Sequence, residues 1–219
     1  MKRSHNPFRM FSGVLLAVAF LATGGSAIAQ TEPVPVPAAP VGLRTTPIGR
    51  MRLSFSVVPA PLGSIESTLP IVGDVSADTA FAFGLRPAFD YSVNEYFFVG
   101  FSPQLMLNVK GDDDDDTDAS KALDLLVRVG AHAPVAEKVH LYGFLSPGYS
   151  IIYPAAGDQD PAGFVLGVTA GGMYSFTDRL FASLDVGYQL GFQEFTVAGG
   201  DFDFHLRYLL IGAGVGMRL

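Results

Sequence analysis

The sequence predicts an all-β fold, an eight-stranded antiparallel up-and-down transmembrane β-barrel. Three observations predict it. Apolar residues recur with period two in eight stretches, an even number. In each stretch one face carries large Phe, Leu, Val and Tyr, and the other carries Gly, Ser, Gln, Asp or Arg. The links between stretches alternate between short and long.

The stretches follow in order. Met51, Leu53, Phe55 and Val57 alternate with Arg52, Ser54 and Ser56. Phe81, Phe83, Leu85 and Phe89 alternate with Ala82, Gly84, Arg86 and Ala88. Phe97, Val99, Phe101, Leu105, Leu107 and Val109 alternate with Gly100, Ser102, Gln104 and Asn108. Leu123, Leu125, Val127 and Val129 alternate with Asp124, Arg128 and Gly130, and Leu126 breaks the pattern. The fifth stretch sets Val139, Leu141, Leu145, Tyr149, Ile151 and Tyr153 against His140, Ser146, Gly148 and Ser150. Phe164, Leu166, Val168, Ala170, Tyr174 and Phe176 oppose Gly167, Thr169, Gly171 and Ser175. Leu180, Leu184, Val186, Tyr188, Leu190 and Phe192 oppose Ser183, Asp185, Gly187, Gln189, Gly191 and Gln193. The last stretch sets Leu209, Ile211, Ala213, Val215, Met217 and Leu219 against Gly212, Gly214, Gly216 and Arg218.

The polarity of the two faces chooses the solvent. A soluble barrel puts its apolar face inside. A narrow eight-stranded barrel has little internal space, so small residues suit the lumen and bulky ones suit lipid. Each stretch is long enough for the roughly 9–11 tilted residues that cross a bilayer. The links at 90–95, 134–138 and 177–179 are short, and those at 59–78, 110–120, 154–163 and 194–203 are long. Short turns on one side and long loops on the other are the up-and-down pattern. Phe89, Tyr91, Tyr174 and Phe176 near one end, and Tyr153, Phe164 and Phe192 near the other, are placed as interfacial girdles, although the chain has no Trp. No stretch after residue 30 is long and apolar enough for a helical span.

Composition agrees. Half the chain is hydrophobic (49%), which excludes disorder, and the absence of Cys excludes a disulfide scaffold. Residues 1–29 read as a signal peptide. Lys2, Arg3 and Arg9 precede an apolar run at 13–22, and Ala27-Ile28-Ala29 supplies the small residues of a cleavage site. Cleavage before Gln30 changes the net charge from -7 to -10, with 11 basic and 21 acidic residues remaining. That charge argues against a nucleic-acid partner. Residues 30–44 carry Pro33, Pro35, Pro37 and Pro40 and read as an extended periplasmic tail. Residues 45–219 are the expected barrel.

The chain resembles the small eight-stranded outer-membrane barrels of Gram-negative bacteria, the group of the outer-membrane protein A barrel. The resemblance covers about residues 45 to 219 and is one of pattern. Its sharpest piece is the C-terminal Gly214-Val215-Gly216-Met217-Arg218-Leu219. Gly214, Met217 and Leu219 are similar to the strand signal that the barrel assembly machinery reads, where the family prefers a terminal Phe. The resemblance implies an outer-membrane location, contact with outer-membrane lipid and lipopolysaccharide, and a monomer. The sequence stops at this strand, so a peptidoglycan-binding domain of the kind some relatives carry is not expected.

The candidate chemistry lies in three places. Arg52, Arg86, Arg128 and Arg218 point inward with Asp124 and Asp185, and must pair or stay hydrated. This lumen charge network is expected to plug the barrel, with a small pore for ions or small solutes as the alternative. Fourteen of the 21 acidic residues fall in the four long links, and the run of Asp112, Asp113, Asp114, Asp115, Asp116 and Asp118 is a possible divalent-cation loop or a solvated charge run. It is not an EF-hand, because Thr117 and Leu123 occupy the Gly and Glu positions. The third place is Asp203-Phe204-His205, which resembles the Asp-x-His pair of outer-membrane proteases. Omptins resemble longer, ten-stranded chains, and the His-x-Ser of lipid A deacylases fails at Leu206-Arg207. His132 and His140 flank a short turn, and Gly212, Gly214 and Gly216 lack the strand-then-helix context of a nucleotide site. The expectation is therefore no enzyme, no cofactor and no resident metal. The expected role is structural or adhesive, with acidic external loops; a barrel-type hydrolase is the more remote alternative.

Overall fold

The computed structural model describes residues 51–69, 73–110, 119–154, 160–197 and 200–219. The expected signal peptide (1–29), the Pro-rich tail (30–44) and the Asp112–Asp116 and Asp118 run lie outside the described residues.

Among the described residues every regular element is a strand, and no helix is long and apolar enough to cross a membrane. The strands are β1 (Met51–Ala60), β2 (Leu62–Leu69), β3 (Gly73–Asp78), β4 (Ala82–Ser92), β5 (Phe97–Val109), β6 (Ser120–Ala136), β7 (Val139–Tyr153), β8 (Ala162–Ser175), β9 (Leu180–Val197) and β10 (Gly200–Arg218). They form one antiparallel sheet in the order β1-β4-β5-β6-β7-β8-β9-β10-β2-β3, and β1 also pairs with β10. That last pairing closes the sheet. Arg52 lies opposite Arg218, Leu53 opposite Met217 and Val57 opposite Ala213.

Ten strands make eight staves. β1 and β2 both pair with β10, β1 along 213–218 and β2 along 203–209, so together they form one stave. Pro61 between them has no N–H to donate to a ladder. β3 and β4 form the next stave, pairing with β2 and β1 in turn. At its break, the Thr79 N–H donates to the Gly63 carbonyl at 3.0 Å, and the Ala80 N–H to that of Lys110 at 3.0 Å.

This corrects two expected links. Residues 59–78 are mostly a β2–β3 hairpin, not a loop. Residues 194–203 are mostly the tip of a β9–β10 hairpin, paired up to Val197 and Gly200. Both hairpins share β10 and extend the barrel wall on one side. Strand pairing satisfies their backbone polar groups, which an irregular link would leave to water.

Two of the three short links are shorter than expected, and the third, 176–179, is one residue longer. β4 runs through Ser92, which takes Asp90 into a strand, and β6 runs through Ala136, which takes in Pro134. Asn94 Oδ1 accepts the N–H groups of Tyr96 and Phe97, each at 2.8 Å, within the 93–96 turn. Thr177 Oγ1 accepts those of Arg179 at 3.2 Å and Leu180 at 2.9 Å. Asn and Thr hold turns in this way because their oxygens stand in for a ladder carbonyl.

The two faces of the wall are inverted relative to a soluble protein. Phe55, Val57, Phe101, Val127, Leu145, Leu184 and Val215 are exposed outside, whereas Arg52, Arg86, Asp90, Asp124, Arg128, Asp185 and Arg218 are buried inside. One residue changes face. Asn108 takes a left-handed conformation (φ 64°) where the β5–β6 register slips between Leu107 and Val109. A bulge adds one residue, so Val109 turns inward, contrary to the strict alternation read from the sequence.

The lumen is not uniformly small and polar. Phe98, Phe144, Phe181, Met106, Leu126 and Tyr208 are buried in it. Glycines on neighbouring staves make the room. A Cβ at Gly130 would lie 2.7 Å from Phe98 Cζ, and one at Gly216 would strike the Phe181 ring. At the long-hairpin end Val58, Ala82, Met106, Ala122, Ile152, Leu206, Tyr208 and Leu210 form a packed apolar cluster, with Ile65 and Phe204 against it.

Candidate functional site: the charged lumen

The lumen is built from every second residue of each stave, so its chemistry is layered along the barrel. Three layers are resolved by their contacts.

The central layer holds three ion pairs, made by two carboxylates. Arg86 Nη2 donates to both carboxylate oxygens of Asp185 at 2.8 Å, and the Tyr142 hydroxyl donates to Asp185 Oδ2 at 2.8 Å. Asp90 is shared by Arg128 at 3.1 Å and Arg52 at 3.5 Å. Aromatic faces complete the arginine contacts. Arg52 lies 4.7 Å from the centre of the Phe98 ring, and Arg128 lies 4.1 Å from that of Phe144. Buried charge is tolerated only when paired and hydrogen-bonded, and these contacts supply that pairing. The ring quadrupoles add to it.

The layer toward the long hairpins centres on Asp124. It accepts from Gln189 Nε2 at 2.7 Å and Gln104 Nε2 at 3.2 Å, and Gln104 Nε2 also reaches Gln189 Oε1 at 3.0 Å. These two amides and the Ser150 hydroxyl, not an arginine, hold the carboxylate. Above it the apolar cluster closes the lumen.

The layer toward the short turns holds Arg218, His132 and His140, all buried. Arg218 donates to Ser175 Oγ at 2.7 Å and to the Asp178 carbonyl at 3.2 Å, and its ring contact is Phe181, 5.5 Å from the guanidinium. His132 packs on Phe98 with ring centres 6.0 Å apart, and its backbone N–H donates to the Tyr96 carbonyl at 2.7 Å.

All six residues expected in the lumen are therefore inside the barrel, but in different layers. Arg52, Arg86, Arg128 and Asp185 share the central layer, while Asp124 and Arg218 lie on opposite sides of it. Sequence reading assigned Asp90 to a turn and passed over Tyr142, Gln104 and Gln189 as pairing groups. The signal for Asp90 was the alternation itself, since 86, 88 and 90 fall on one face of β4. Pairing across 99 residues, as in Arg86–Asp185, has no local signal.

The remaining candidates lie elsewhere. Gly214 pairs with Ser56, Met217 and Leu219 are exposed, and the Leu219 N–H donates to the Met51 carbonyl at 2.9 Å. The expected terminal signal is thus the strand that closes the barrel. Gly212 stands beside the Arg86–Asp185 pair, where a Cβ would lie 2.7 Å from Arg86 Nη2. Its missing side chain makes room for that pair.

His205 lies on the outer side of the β2–β10–β9 wall, opposite Phe192 on β9 and Glu66 on β2. Its ring meets Phe192 edge-to-face at 5.3 Å. Asp203 faces Glu194 across the same ladder, and Arg207 holds Glu66 through two contacts of 2.7 Å. Among the described residues no group of three or more His, Asp and Glu side chains is placed to hold a metal ion.

No protein-family model and no curated protein matches the chain. Among solved structures, the chain is similar to Neisserial surface protein A at 18% identity and a TM-score of 0.45, over 76% of this chain and 97% of that one. It is similar to the outer membrane protein OprG from Pseudomonas aeruginosa at 16% identity and a TM-score of 0.48, over 76% and 93%. It is similar to the outer membrane protein AlkL at 16% identity and a TM-score of 0.47, over 87% and 98%. By its own strand order and closure, the chain has the architecture of a small, closed, eight-stranded antiparallel β-barrel.

Proposed function

We propose that the chain is a monomeric outer-membrane barrel with a structural or adhesive role, carrying its long hairpins outside the cell. The observation that carries this reading is the inverted wall. Large apolar side chains face outward around the barrel, while arginines and aspartates are buried within. In water that arrangement exposes its apolar surface and gains nothing from its buried charge. In a bilayer the apolar face meets lipid, and the closed ladder satisfies every stave.

A closed lumen supports a plug over a pore. The ion pairs fill its centre and the apolar cluster packs the hairpin end. Outside, Glu194 beside Asp203 leaves anionic charge on the hairpin wall. An acidic rim suits divalent cations shared with lipopolysaccharide phosphates, or a cationic surface. The barrel assembly machinery would read Gly214, Met217 and Leu219 on the closing strand. His205 faces outward against Phe192 and takes no catalytic part in this reading.

Gel migration tests the membrane reading. The unheated, detergent-folded protein should migrate faster than the boiled one. A chain that stays soluble without detergent and shows no shift would overturn the proposal. Planar-bilayer recording should show no discrete conductance steps. Steps would replace the plug with a pore. For the adhesive role, cells carrying the protein should attach to a cationic surface, and Asn at Asp112–Asp116 and Asp118 should weaken attachment. Equal attachment by both would leave only the structural role.

A further inference from the structure

We propose that the central lumen binds one halide-sized anion between Arg52, Arg86 and Arg128. A cavity of about 30 Å³ opens there, lined by these three arginines together with Ser54, Ser56 and Ser183. About 10–15 Å³ of such space holds one water. The cavity therefore takes a monatomic anion but not a phosphate or a sugar.

Two independent observations point to an anion. The first is charge. Asp90 and Asp185 are the carboxylates on this cavity, against three arginines, and both are already engaged in ion pairs. Arg218 adds a fourth positive charge next to it. It is the direct cross-strand partner of Arg52 in the closing ladder and donates to Ser175, Met173 and the Asp178 carbonyl, with the Asp178 carboxylate on its turn side, away from Arg52, as its one acidic neighbour among the described residues. Like charges directly opposite on a ladder destabilise it. Burial makes the excess more costly, so a mobile negative charge is drawn in. Asp124 does not offset it, because that carboxylate is held by Gln104 and Gln189 in the next layer.

The second is unmet hydrogen bonding. Arg52 and Arg128 are at least nine-tenths buried, and among the described residues the Nε–H of each has no hydrogen-bond acceptor; Asp90 Oδ1, also without a hydrogen bond, is already taken up by the ion pair to Arg128 Nη1 at 3.1 Å. Every side of a guanidinium is a donor, so only an acceptor or an anion can answer these groups. The three serines can add O–H donors to the same ion, since a hydroxyl rotates to suit its partner. His132 and His140 lie nearby on the short-turn side, with Phe98 between His132 and Arg52. The proposal rests on the closed lumen and not on the adhesive reading.

Crystals of the folded protein grown or soaked in bromide test it directly. An anomalous peak should appear inside the barrel among Arg52, Arg86 and Arg128. Bromide peaks confined to the outer surface, or none, would overturn the proposal. A second measurement needs no crystal. The thermal midpoint of the detergent-folded protein should be higher in chloride than in gluconate at equal ionic strength, by on the order of 5 °C. Equal midpoints would overturn it. Arg52→Gln and Arg128→Gln should each abolish that difference, and a difference that survives in both variants would assign it to the surface. Should neither variant fold, the bromide map of the unaltered chain still decides.

Discussion

Arg86 on β4 grips Asp185 on β9 through two 2.8 Å contacts across the lumen, 99 residues apart in sequence. Tyr142 on β7 donates to the same carboxylate. Three staves are tied at one point. Asp185→Ala leaves the Arg86 guanidinium buried without its partner, and should cost about 3–5 kcal/mol. Arg86→Met with Asp185→Leu should recover much of that loss, because no buried charge is then left over. Urea-dependent folding into lipid vesicles measures both. Tyr142→Phe should cost about 1.5–3 kcal/mol, the worth of a hydrogen bond to a charged group.

Gly212 leaves the space that this pair fills. In Gly212→Val the new Cβ presses on the Asp185 carboxylate and lies 2.7 Å from Arg86 Nη2. Overpacking of this kind costs about 1–3 kcal/mol. Asp185→Ala should relieve part of the crowding, so the double variant should lose less than the two single losses added together. A double-mutant cycle on folding stability checks it.

Leu184 is exposed on the outer wall, opposite Ala213 and Gly172 on the neighbouring staves. If that wall meets lipid, Leu184→Arg should cost about 2–4 kcal/mol in a bilayer. A water-facing wall would tolerate the same change almost without loss. Equilibrium folding in vesicles separates the two environments.

Glu66 and Arg207 make an ion pair outside the lumen at 2.7 Å, yet each side chain is about one third exposed. Solvent screens such a pair, so Glu66→Gln should change stability by less than about 1 kcal/mol. High salt should reduce the effect further. The contrast with Asp185→Ala, measured in the same assay, isolates what burial does to an equally good geometry.

Much of the fold was legible along the chain. Period two reports a strand with two unlike faces, and the large-out, small-in polarity at Phe55 against Ser54 and Ser56 names the solvent. Arg52, Arg86, Asp124, Arg128, Asp185 and Arg218 were all found by face alone, because the pleat forces alternate residues to one side. Asp90 was misplaced because a turn was drawn where acidic and polar residues gather. Val109 was misplaced because one left-handed residue, Asn108, puts a bulge just before it and turns it inward.

The links were harder. Residues 59–78 and 194–203 are rich in turn-forming and acidic residues, and composition read them as loops. They pair because β10 offers an edge to both, to Leu62–Leu69 on one side and to β9 on the other. For 59–78 the partner strand lies more than a hundred residues away and leaves no local mark, whereas 194–203 pairs with itself across the β9–β10 hairpin.

Eight strands, their faces and the charge carried inside follow from the alternation of side chains, which is a property of neighbours along the chain. Which arginine meets which aspartate depends on register around a closed ring. The closing pair Arg52–Arg218 fixes the height of every stave relative to the next, and only then do Arg86 and Asp185 fall at one level while Asp124 falls at another. Long-range pairing set the layers, and the layers set the chemistry of the lumen.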